Sequence, residues 1–254
     1  MLRAATLTLL LLSTVAGANS LQFTGHAFDP ESGELLYTEH HYMERDTSGA
    51  LTQGRVIYRG GGSDSSAVWA DKRLVFGANP LLPELSFYDQ RFGTDLNLTR
   101  QANRIVIEQN SGEGLQQQGL SLPEEKRVVA DAGFDRLVER EWHALLNGTS
   151  IEFEFVAITR GKLVSFQIRK QSQSDQRVVF IVEPQNWFFR MLVDPIVLHY
   201  DLAQRRLRRF EGLTNIAKAR DGDNFKARIE YSYADEVSNH HAQSAPKQND
   251  GRAL

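Results

Sequence analysis

From Leu21 onward, apolar and polar residues alternate in short runs separated by clusters of Gly, Asp, Asn and Pro, the pattern of antiparallel strands with one buried face. LQFTGHAF and LLYTEHHYM flank Asp29-Pro30-Glu31-Ser32-Gly33, where Pro pre-sets φ and Gly supplies a positive φ, so these runs are expected to form the first hairpin. RVIYRG, AVWADKRLVF, ELSFYDQRF, LNLTRQ and RIVIEQN follow as predicted strands. Gly60–Ser66 and Asn110–Pro123, the latter rich in Gly, Gln and Ser, read as loops. One segment has a different period: in AGFDRLVEREWHALLNG, Phe134, Leu137, Val138, Trp142, Leu145 and Leu146 fall at offsets 0, 3, 4, 8, 11 and 12, a single helical stripe. Asp131 or Asp135 is expected to cap this helix and Asn147-Gly148 to stop it, with Trp142 and Leu145 buried against a sheet.

IEFEFVAI, KLVSFQIRK, RVVFIVEP, PIVLHYDL, RRLRRFEG and FKARIEYSY bring the total to about twelve strands. The expected class is therefore α+β, mainly antiparallel β: a strongly curved sheet or open barrel with one long amphipathic helix against its concave face. Two registers follow from turn placement. A two-residue loop at Arg160-Gly161 sets Phe155 opposite Phe166 and Phe153 opposite Ile168, with Glu152 and Glu154 on the solvated face. A loop at Ala203-Gln204 sets Tyr200 opposite Leu207 and Asp201 opposite Arg206, leaving Arg208 and Arg209 without partners.

Residues 1–18 have one cation at Arg3, an apolar stretch from Ala4 to Leu12, then small residues ending in Ala16-Gly17-Ala18, the pattern of a cleaved secretory signal. The apolar run is short of the ~20 residues a bilayer span requires. Residues 19–237 are expected to form a single β-rich domain, and 238–254, with one large apolar residue at its end, a disordered tail. VVFIVEPQNWFFRMLV is broken by Glu183, Pro184, Gln185 and Asn186, so no transmembrane segment is expected in the mature chain. Cysteine is absent, which removes disulfides, thiol nucleophiles and thiolate metal sites, and an exported chain without disulfides fits a bacterial periplasm. Net charge is −3, so no global field points at nucleic acid.

An exported chain of successive hairpins, with an amphipathic helix midway and a hairpin ending in a loop of the form Phe210-Glu211-Gly212-Leu213-Thr214-Asn215-Ile216, resembles uncharacterised periplasmic proteins of the domain-of-unknown-function type. These are architecturally similar to the lipoprotein carriers of the outer-membrane pathway. The resemblance covers residues 21–233 and implies a hydrophobic cavity and a role in envelope lipid or lipoprotein handling; no catalytic residue comes with it.

Most catalytic readings fail on geometry. His40 and His41 are adjacent and point to opposite faces of a strand, and His240 and His241 fall in the tail, so no metal site is expected. Glu152 and Glu154 share a face about 7 Å apart, but Ile151, Phe153 and Phe155 claim the other, and catalytic pairs come from different elements. No G-x-S-x-G, P-loop or G-x-G-x-x-G is present, and no cofactor is expected. Arg205-Arg206-Leu207-Arg208-Arg209 reads either as an anion-capturing strand or as an edge blunted by charge. Trp187-Phe188-Phe189-Arg190-Met191-Leu192, after Asn186 as a cap, is either wedged in the core or part of a pocket or membrane-facing patch. The leading functional expectation is an exported binding protein holding a lipid or lipidated partner, with Trp142, Trp187, Phe188, Phe189 and Met191 on apolar walls and Arg208 and Arg209 at the head group. An envelope scaffold, or a hydrolase with a non-contiguous site, are the alternatives.

Overall fold

The computed structural model describes residues 20–62, 65–112, 114–191, 194–220 and 222–234, without the side chain of Phe189. The expected signal, residues 1–18, and the tail from Ser238 to Leu254, including His240 and His241, lie outside the described residues. The first half of the chain supplies β1 (Ser20–Phe28), β2 (Leu35–Arg45), β3 (Leu51–Gly60), β4 (Val68–Val75), β5 (Glu84–Asp89), β6 (Thr94–Gln101), β7 (Arg104–Asn110) and β8 (Leu115–Ser121). A two-residue strand, β9 (Val128–Val129), then precedes helices α1 (Gly133–Arg140) and α2 (Trp142–Leu146). The second half supplies β10 (Ile151–Ala157), β11 (Lys162–Gln173), β12 (Arg177–Pro184), the single turn α3 (Trp187–Arg190), β13 (Ile196–Asp201), β14 (Leu207–Ala217) and β15 (Asn224–Tyr233).

These strands form one curved, unclosed sheet in the order β8-β7-β6-β5-β4-β3-β2-β1-β15-β14-β13-β12-β11-β10-β9. Every pairing is antiparallel except β9 with β10. The fold is thus α+β and mainly antiparallel, with the helical segment against the concave face. Its first hairpin closes as its turn residues dictate: the Asp29 carboxylate accepts the N–H groups of Glu31 and Ser32, and Gly33 takes φ +74°.

The helical stripe is buried as its period requires. Leu137, Val138, Trp142 and Leu145 pack with Ile151, Phe153, Ile168, Phe180, Leu198 and Tyr200 of the concave face. Each such side chain contributes about 1.5–3 kcal/mol on burial. The helix breaks at Glu141, the offset of the stripe where an apolar residue would recur and a charge stands instead. Neither Asp131 nor Asp135 caps it, because Ala132 is the N-cap. Asp131, at φ +42°, instead receives Lys72 Nζ at 2.7 Å and Asn215 Nδ2 at 3.0 Å, which ties the helix entrance to β4 and β14.

The two ends of the sheet overlap rather than pair. Val156, on the face of β10 opposite Phe153, joins Leu85, Leu96, Leu98, Ile105 and Ile107 of β5–β7 in a second apolar cluster. The β9–β10 end is therefore tucked inside the curl of β5–β8. This corrects the expectation that Glu154 is solvated: it is buried, bonded to Lys126 Nζ at 2.5 Å and to the Ser165 hydroxyl at 2.8 Å.

Other differences have local causes. Ile158–Arg160 forms a 3₁₀ turn ended by Gly161 at φ +55°, so the loop is longer than two residues. Phe153 faces Phe166, Ile151 faces Ile168 and Phe155 faces Val164, a shift of two residues that keeps every side chain on its expected face. β8 lies where Asn110–Pro123 reads as a loop. The Phe210–Ile216 motif is a bulged part of β14 rather than a loop. Gly212, at φ +152°, lies so close to Ile196 that a Cβ would sit 2.9 Å from its side chain.

Candidate functional site

α3 occupies the β12–β13 connection and leaves large apolar side chains in solvent. Asn186 Oδ1 accepts the Phe188 N–H at 2.9 Å, the capping role expected of it. Arg190 closes the turn from the other side, donating to Gln185 O at 3.0 Å and to Glu183 at 3.3 Å. On this frame Trp187 is 68% exposed, Met191 66% and Phe188 51%, with the Trp187 and Phe188 rings edge-on at 6.1 Å. Trp187, Phe188 and Met191 are thus not wedged between sheet and helix. The side chain of Phe189 lies outside the described residues.

The structure separates Trp142 from this group. It is 2% exposed and meets the rings of Phe180 and Tyr200 edge-on, each at 5.7 Å, so it belongs to the packed core.

The arginine strand also sits apart from α3. Tyr200 faces Leu207, as its turn predicts, but a bulge at Arg208 then sets His199 opposite Arg209. α3 follows the β12 end paired with Ile196, whereas Arg208 lies near Asp201, at the other end of β13. Neither arginine is without a partner. Arg208 donates to Gln204 Oε1 at 2.9 Å and lies 3.8 Å from Asp201, and Arg209 lies 3.5 Å from both Glu211 and Glu230. They line an open groove of about 700 Å³ together with Arg177, His199, Asp201 and Glu230. Its charges are mixed in sign, so it is not a bare cationic patch. Burial in this groove holds the His199 imidazole below its ordinary pKa.

A third group could not be paired from the sequence: polar side chains on the concave face. Glu39 is 5% exposed and its Oε2 lies 2.9 Å from His41 Nε2 and 3.3 Å from the Tyr231 hydroxyl, which donates to it. Tyr231 lies two strands from Glu39, across β1, and reaches it over Gly25, where a Cβ would stand 2.8 Å from the tyrosine ring. His41 stacks on Phe23 with centroids 4.2 Å apart. From the helix, Asp135 accepts the Tyr200 hydroxyl at 3.2 Å, and burial pushes its carboxyl above the ordinary range. Lys72, itself 5% exposed, completes this layer through its bond to Asp131. Such groups persist in an interior because each has a partner. Their signal in the sequence is a charge at an inward position of an alternating strand: Tyr37, Glu39, His41 and Met43 share one face of β2.

Among the described residues no group of three or more His, Cys, Asp or Glu is placed to hold a metal ion. No helix among them is long and apolar enough to cross a membrane. Glu154 is committed to Lys126 and Ser165 while Glu152 is exposed, so the two do not flank a common space.

No family model matches the chain, and no curated protein does. Among solved structures, a beta-barrel-like protein of domain of unknown function DUF1849 from Brucella abortus aligns over 85% of this chain and 95% of its own, at 8% identity and a TM-score of 0.40.

Proposed function

We propose that the protein is an exported, periplasmic binding module that engages a lipid surface or the acyl chain of a lipidated partner through α3. The observation that carries this reading is the exposure of Trp187, Phe188 and Met191 together on one capped turn. Half to two-thirds exposed, each of these side chains forgoes part of the about 1.5–3 kcal/mol that full burial contributes, which an apolar partner restores. Trp and Phe suit the boundary between head groups and acyl chains. The hydrogen bonds of Glu183, Gln185 and Asn186 hold the turn in place, so little ordering is required on binding. The signal-like pattern of residues 1–18 and the absence of cysteine support the compartment.

The test is co-sedimentation with vesicles of phosphatidylethanolamine and phosphatidylglycerol. Wild type binds, and the Trp187 emission shifts to the blue. Trp187→Ala with Met191→Ala lowers binding at least ten-fold without changing the melting temperature. Arg208→Gln with Arg209→Gln, whose native side chains are already ion-paired, leaves it within two-fold. Binding that depends on the arginines and not on α3 transfers the site to the groove, and absence of vesicle binding by wild type overturns the lipid reading. Amino-terminal sequencing of protein recovered from the periplasm checks export, with cleavage expected close to Ala18.

A further inference from the structure

The two edges of the sheet differ in how they are protected. β9 is two residues long, and both are buried. β8 runs for seven residues, all exposed except Leu120, with Leu115 at 68%. Long edges are ordinarily blunted by charge, proline or a bulge. β8 has none of these: Leu115-Gln116-Gln117-Gln118-Gly119-Leu120-Ser121 is uncharged in a chain that is 24% charged, and its register with β7 is unbroken, while Gln118 Nε2 donates to Gly161 O of the β10–β11 turn at 2.6 Å.

The direction of its backbone groups follows from one hydrogen bond. Leu122 N donates to Asn103 O at 2.9 Å, so the ladder's hydrogen-bonded positions alternate from there through Leu120, Gln118 and Gln116. Leu115, Gln117, Gly119 and Ser121 then direct their N–H and C=O groups away from β7. Among the described residues these groups have no backbone partner.

We propose that β8 is a self-pairing edge, through which two copies of this chain join antiparallel about a two-fold axis at Gln118. In that register Leu115 faces Ser121 and Gln117 faces Gly119, so every outward amide and carbonyl meets its complement. An uncharged edge is what self-pairing requires, since a charge near the axis would face its own copy. The flanking strand supplies complementary charge. Gln117 Nε2 donates to Glu108 at 3.0 Å, which leaves its amide oxygen to accept. The Arg104 guanidinium lies over Gly119, where a Cβ would be 1.7 Å from its nitrogen. Setting Gln117 of one copy beside Gly119 of the other brings that oxygen to Arg104, twice by symmetry.

The chain has no cysteine, so a single introduced thiol reports the geometry unambiguously. Gln118→Cys occupies a non-hydrogen-bonded position on the axis, where facing Cα atoms lie about 4.5 Å apart, within disulfide range. Mild oxidation is expected to give a covalent dimer, whereas Gln116→Cys, which faces Leu120, stays uncrosslinked. In sedimentation velocity wild type is a dimer, and Gln117→Pro, which removes an outward N–H, raises its dissociation constant at least ten-fold while leaving the monomer folded. A wild type that sediments as a monomer at every concentration overturns the proposal. So does crosslinking of Gln116→Cys as readily as Gln118→Cys. Neither result bears on α3, which lies on a different connection of the sheet.

Discussion

Two short helical segments each present a tryptophan, and the structure treats them oppositely. In α1–α2, Trp142 is 2% exposed, while in α3, Trp187 is 68% exposed. Hydrophobicity does not distinguish the two side chains; period and length do. The first segment repeats its apolar positions over three turns on one face, and so matches a sheet surface. The second packs its apolar residues consecutively around a single turn, and the sheet leaves Trp187, Phe188 and Met191 exposed. The first also has a polar anchor at its entrance, the Lys72–Asp131 bond, both of whose side chains are nearly buried. The polar frame of α3 closes on its own connection and the β12 strand that precedes it. One segment therefore contributes to stability, and the other leaves apolar surface exposed.

The contrast can be broken from its strong side first. Trp142→Ala should cost about 3–5 kcal/mol in urea unfolding, and a loss under 1 kcal/mol would show that the helix is not part of the core. Lys72→Met should cost about 3 kcal/mol by leaving Asp131 buried without its ion partner, and adding Asp131→Asn should restore most of it. If the single and double variants unfold alike, the pair is not an anchor. Trp187→Ala should move stability by less than about 0.5 kcal/mol, and iodide should quench this tryptophan before the other two in wild type. Protection from iodide would mean that the turn is covered in solution.

The smallest effect sharpens the polar side of the helix. Because burial raises the Asp135 pKa, the folded state holds this proton more tightly than the unfolded chain does. The carboxyl therefore lowers stability as pH rises from the unfolded value through the folded one. Asp135→Asn should be neutral below the ordinary carboxylate range and slightly stabilising at pH 7. A loss at pH 7, followed by thermal melts across that range, would show instead that the ionised carboxylate supports the helix through its bond to the Tyr200 hydroxyl and the charge of the neighbouring Arg136.

Much of this architecture was legible where a buried face imposes a period. The helical stripe and the first hairpin follow from residue spacing and turn chemistry alone. The Phe153–Phe166 hairpin shows where that logic stops: alternation settles which face a residue occupies, but two registers two residues apart satisfy it equally, and the 3₁₀ turn decides between them. β8 was invisible for the converse reason. Solvent bathes nearly all of it, so no alternation marks Gln116, Gln117 and Gln118 as a strand. The α3 cap could be read from Asn186, but its exposure depends on what the rest of the chain leaves uncovered. The inward layer could not be paired in advance, since Lys72 and Asp131 are 59 residues apart and Tyr231 and Glu39 are 192 apart.

The adjacency of β1 and β15 at the middle of the sheet makes this topology a permuted meander. Every other antiparallel contact joins strands that are neighbours in the chain, and Phe23 pairs with Tyr233 where the first strand begins and the last one ends. A short linker from Tyr233 to Ser20, with the chain reopened between Ser121 and Val128, would yield a protein whose strands run in spatial order from one edge to the other. The β1–β15 pairing would become a hairpin and its loop-closure entropy would fall, whereas the contacts between the overlapping edges, such as Lys72 with Asp131 and Val156 with Leu98, would lie further apart in the chain. Such a circular permutant should keep the native sheet and form the β1–β15 pairing ahead of the overlap between its two edges.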